Sequence, residues 1–99
     1  MKIIDISNYK TEENNEYQVR EALKNVLFAP QLQLNSIQLI ENNDIWQKIK
    51  ASDKVLELEE AEYKILLNCI DTIKGYTLND LVLINRIKEA KNDINKESD

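Results

Sequence analysis

The chain has no histidine, one glycine (Gly75), one cysteine (Cys69), one proline (Pro30) and two arginines (Arg20 and Arg86) among its 99 residues. Each shortage excludes a class of chemistry. Without histidine there is no imidazole relay, imidazole general base or imidazole metal ligand. A single cysteine cannot close a disulfide within the chain or build a thiolate zinc or iron–sulfur site. A phosphate-cradling GxxxxGK[ST] loop or a GxGxxG dinucleotide turn needs several glycines, and only one is present. No cofactor or metal site is therefore expected.

Charge and hydropathy exclude two further classes. Thirteen basic residues stand against eighteen acidic ones, a net charge of −5, and no basic stripe appears of the kind that displaces counterions from phosphates. Nucleic-acid binding is disfavoured, and the acids at Glu12, Glu13 and Glu16 and at Glu57 to Glu62 are too sparse for a nucleic-acid mimic. The longest apolar runs, such as Ile65-Leu66-Leu67, fall far short of the roughly 20 residues of a membrane span. Asp5 interrupts what would be the apolar region of a signal peptide. The expectation is a cytoplasmic protein with Cys69 reduced.

What is present is mostly helical periodicity. Lys2 to Tyr9 is β-branched and weakly alternating, which predicts a strand; the polar run Lys10 to Asn15 turns it back onto Glu16 to Val19 as a hairpin. From Val19 the period changes. Val19, Ala22, Leu23, Val26 and Leu27 share one arc, predicting an amphipathic helix that ends near Phe28 because Pro30 disfavours helical geometry at Ala29. Phe28 packs at that helix end or is an exposed contact. Ser36 is the expected N-cap of a second helix, with a break at Asn42-Asn43-Asp44 and a short helix through Lys50. Val55 to Leu58 reads as extended. Tyr63, Leu66, Leu67, Ile70 and Ile73 then form a wide continuous stripe, stopped by Gly75, with Cys69 as a packing residue at its border.

The last helix is predicted from a Thr77-x-x-Asp80 start to about Lys91 and is apolar on two sides. Leu78, Leu81 and Val82 make one face, and Leu83, Ile84, Ile87 and Ala90 another. A helix of that kind is sandwiched within the core or between the core and a partner. The carboxylates Glu57, Glu59, Glu60, Glu62, Asp71 and Asp80 are the only enzyme-like material, and their spacing is that of a solvated helix start.

The order of segments from residue 16 to residue 90 resembles that of small accessory proteins encoded by tailed phages and prophages. The residues that carry the resemblance are Glu21-Ala22-Leu23-Lys24-Asn25-Val26-Leu27-Phe28-Ala29-Pro30, then Lys48-Ile49, then Val55-Leu56-Glu57-Leu58-Glu59-Glu60, then Tyr63-Lys64-Ile65-Leu66. It implies a hairpin running into a helix, then a short helix, an extended segment and a long helix. No functional residue is carried over by it.

Together these readings predict an α+β, mainly α fold, with an N-terminal β-hairpin followed by a compact bundle of three to four helices. One globular domain is expected over residues 1–91, with a flexible polar tail at 92–99. The expected function is non-enzymatic: a small phage-type accessory protein that binds a protein and modulates or inhibits a host component in the host cytoplasm. The alternative is a virion assembly or structural component forming symmetric oligomers. The residues expected to meet the partner are Leu83, Ile84, Ile87 and Trp46.

Overall fold

A computed structural model describes residues 1 to 92. In chain order the elements are β1 (Lys2–Asp5), β2 (Tyr9–Lys10), β3 (Glu16–Tyr17), α1 (Val19–Leu27), α2 (Ser36–Ala51), β4 (Val55–Leu58), α3 (Glu60–Thr72), α4 (Leu81–Lys88) and β5 (Lys91–Asn92). Short 3₁₀ turns at Pro30–Leu32 and Leu78–Asp80 lead out of α1 and into α4. The fold is α+β and mainly α.

The expected N-terminal strand divides in two. The Asp5 carboxylate accepts from the Ser7 backbone N–H at 2.9 Å and from the Ser7 hydroxyl at 2.6 Å, and this side-chain turn breaks the extended run. The first half, β1, is the centre of an antiparallel sheet ordered β4-β1-β5, with Lys2 opposite both Leu58 and Asn92. Only the second half makes the hairpin, with Tyr9 opposite Tyr17. Ile4 and Ile6 point into the core on one side of β1 and its continuation. Asn92 belongs to β5; the rest of the expected tail, residues 93–99, lies outside the described residues.

The helices bury the stripes that periodicity indicates, with two corrections. In α1 the buried side chains are Val19, Leu23, Val26 and Leu27, and in α3 they are Tyr63, Leu66, Cys69 and Ile70. The expected break at Asn42-Asn43-Asp44 does not occur. α2 runs unbroken, and its N-cap is Asn35 rather than the expected Ser36: Asn35 and Gln38 exchange the capping-box hydrogen bonds of 2.8 and 3.0 Å. Asn42 sits three and seven residues before Ile45 and Ile49, on the same buried stripe. It is tolerated there because its Nδ2 donates to the Leu27 carbonyl at 2.7 Å. Gly75 is not the stop of α3: the helix ends at Thr72, and Gly75 takes its positive φ of +96° in the turn beyond.

With glycine almost absent, left-handed glycine caps cannot satisfy the last carbonyls of four helices. Side chains from elsewhere in the fold do so. Asn42 of α2 holds the Leu27 carbonyl of α1, and Arg20 of α1 donates to the carbonyls of Ser52 and Asp53 just past α2. The Tyr76 hydroxyl donates to Ile70 at the end of α3 (3.0 Å), and the Tyr63 hydroxyl of α3 to Ile87 at the end of α4 (2.6 Å).

Candidate functional site

Among the described residues, groups of large apolar side chains are exposed in two places, at the start of α2, with Ile37 at 67% and Ile40 at 63%, and around α4. α4 is preceded by Thr77, whose backbone N–H donates to the Asp80 carboxylate at 2.8 Å, as the Thr-x-x-Asp spacing indicates. Of its two apolar faces, the one expected to meet a partner turns inward: Leu83 is 3% and Ile87 0% exposed, both within the hydrophobic core. Neither offers side-chain surface to a partner in this conformation. Ile84 is half-buried against the core. The opposite face carries the solvent-exposed residues, with Leu78 at 59%, Leu81 at 47% and Val82 at 45%.

Trp46 lies apart from α4. It is half-buried on α2, with the Lys24 and Lys50 ammonium groups 5.6 and 6.0 Å from its ring centre. The four residues singled out in the sequence thus do not form one surface.

Sequence reading missed a cleft of about 520 Å³ between the end of α1, the Pro30 turn, the end of α3 and α4. Its apolar wall includes Val26, Phe28, Ile70, Ile73 and Ile84. Phe28, whose role was open in the sequence, is therefore at once the end of α1 and part of this wall. Leu83 and Ile87, though almost wholly enclosed, form its floor. No local pattern signals the cleft, because its wall is drawn from segments far apart in the chain.

Polar groups gather at one side. Tyr9 and Tyr17 stack across the hairpin, with ring centres 4.6 Å apart. The Tyr17 hydroxyl donates to Asp80 at 2.5 Å and the Tyr9 hydroxyl to the Asn79 carbonyl at 2.6 Å, so the hairpin is pinned to the start of α4. Arg86 completes the clamp, its guanidinium 5.0 Å from the Tyr9 ring centre and donating to the Ser7 carbonyl at 2.7 Å. Burial, and then the neighbouring Asp80 carboxylate, push the Tyr17 phenol far above its ordinary range. Tyr17 is a neutral donor at every physiological pH.

Two further candidates, Glu62 and Cys69, are taken up by capping and packing. Glu62 accepts from Lys48 Nζ at 2.6 Å and from the Glu59 backbone N–H at 2.9 Å, closing the capping box of α3. Cys69 is buried with its Sγ 3.6 Å from Asn42 Nδ2, and burial raises its thiol above the usual value while the Asn42 donor opposes the shift. Burial, by closing off access and by raising the thiol, disfavours a thiolate nucleophile. Among the described residues, no helix is long and apolar enough to cross a membrane.

Compared with known proteins, the chain matches no protein-family model, no curated protein and no solved structure.

Proposed function

We propose that the protein acts by binding another protein rather than by catalysis, as a small phage-type accessory factor that modulates or inhibits a host component in the host cytoplasm. The observation that carries this reading is the outer face of α4. Leu81 and Val82 at the start of α4, with Leu78 in the 3₁₀ turn that leads into it, expose three large aliphatic side chains within five residues. Scattered apolar residues on a surface are ordinary, whereas a contiguous group at one end of a small domain marks an interaction site. The commitment of Glu62 and Cys69 to packing and capping supports the same reading.

The test is affinity capture from host extract with the wild-type chain and with a Leu81→Glu/Val82→Glu variant that retains the wild-type melting transition. A protein held by the first and released by the second supports the proposal. Equal capture by both removes this face from the interaction. Light scattering on the same samples addresses the symmetric assembly: a large ring that the double variant dissolves makes the occupant another copy of the chain.

A further inference from the structure

The cleft carries an inference independent of the α4 outer face. At about 520 Å³ it falls within the range of sites that bury a small molecule, and its wall follows their usual pattern of apolar side chains with a few converging polar groups. Its charge is one-sided. Lys24 and Asp80 are the only charged residues on its wall, and Lys24 directs its ammonium over Trp46, which is not part of that wall. The charge left facing the cleft is the Asp80 carboxylate.

Asp80 is also short of a counter-ion. The ion pairs among the described residues are Lys48 with Glu62, Arg86 with Asp5 and Lys88 with Asp71. The donors that Asp80 does receive, the Tyr17 hydroxyl and the Thr77 N–H and hydroxyl, are all neutral. An ionised carboxylate offers about four lone-pair sites, so these three leave room for one more donor. An anionic ligand would meet this half-buried carboxylate and be repelled. A cationic one would gain an opposite charge that offsets the cost of leaving water.

We propose that this cleft binds a small amphiphilic amine, its hydrocarbon body against Val26, Ile70, Ile73 and Ile84 and its protonated nitrogen at the Asp80 carboxylate. Tyr17 holds Asp80 in place from the hairpin side and, being neutral, adds no competing charge.

Three probes of equal chain length separate the charge from the hydrocarbon: octylammonium, octanol and octanoate, titrated below their micellar concentrations into the full chain and followed by backbone amide shifts. Octylammonium is expected to bind at least about tenfold more tightly than octanoate, a free-energy difference readily resolved by titration. The shifts are expected at the ends of α1 and α3 and in α4. Asp80→Asn removes the charge and keeps one of the two oxygens that accept from Tyr17 and Thr77; provided its melting transition stays cooperative, it is expected to bring octylammonium down to the affinity of octanol measured on the same variant. Ala22→Phe, which fills the cleft and keeps Asp80, is expected to abolish binding of all three. Equal affinity for octylammonium and octanoate overturns the proposal, as does an Asp80→Asn protein with an unchanged ratio. So does an absence of saturable octylammonium binding, or shifts that map outside the cleft.

Discussion

Asn42 illustrates how one polar side chain can be both an anomaly in the sequence and a fixture of the core. Among the described residues its amide is the one buried polar side chain in a cluster of apolar residues, and it points at a carbonyl that α1 itself cannot satisfy. Removing it takes from the Leu27 carbonyl the donor that Asn42 supplies. Asn42→Ala is therefore expected to destabilise the fold by about 1 to 3 kcal/mol, read as a lower midpoint in urea denaturation. Asn42→Leu tests the cause, since it restores volume but not the donor; stability close to that of Asn42→Ala identifies the orphaned carbonyl as the origin. The same residue explains why the sequence suggests a break in α2. Asn-Asn-Asp is helix-ending chemistry when read locally, and only the distant Leu27 carbonyl makes it helix-compatible.

Among the elements, those set by local periodicity are legible and those set by distant partners are not. The stripes of α1 and α3 and the capping spacing of Thr77 and Asp80 depend on neighbours within a turn or two, and they stand as the sequence indicates. The strand partner of β1 is a choice between segments remote from it, so a hairpin from Lys2 onward is the local answer, and β4 with β5 the actual one. On α4, both apolar arcs look alike in composition. The available signal is that the arc with Leu78 and Leu81 also carries Asn85 and Lys88, which marks it as the solvent side. The cleft is invisible to such reading because no single element contains it. Gly75 supplies an element-scale prediction. A Cβ there would meet nothing within 4 Å, so the cost of Gly75→Ala is that of backbone strain at φ +96° alone, about 1 to 2 kcal/mol. Thermal denaturation checks it, with cooperativity and far-ultraviolet circular dichroism unchanged.

On the scale of the whole molecule, each helix receives at least one hydrogen bond at or just past its C-terminus from a side chain outside it, and the hydrophobic core runs through all four helices and the sheet. Such a structure has little scope to lose one element and keep the rest. Leu83→Glu places a carboxylate where the side chain is almost fully enclosed, and it is expected to abolish the cooperative melting transition. Leu81→Glu, on the solvent side of the same helix, is expected to stay within about 0.5 kcal/mol of the wild type. A folded Leu83→Glu protein would require α4 to be detachable from the core. The pair of variants thus separates the face that builds the molecule from the face it shows to others.

The position of β1 bears on how the chain comes to be folded during its synthesis. The middle strand of the sheet precedes both of its neighbours, so on the ribosome it emerges with neither edge occupied and keeps its ladder groups open until β4, and later β5, follow it out. Long-range pairing of this kind is slow and exposes a strand edge in the interval. The hairpin and α1, by contrast, have short-range partners and are free to form early.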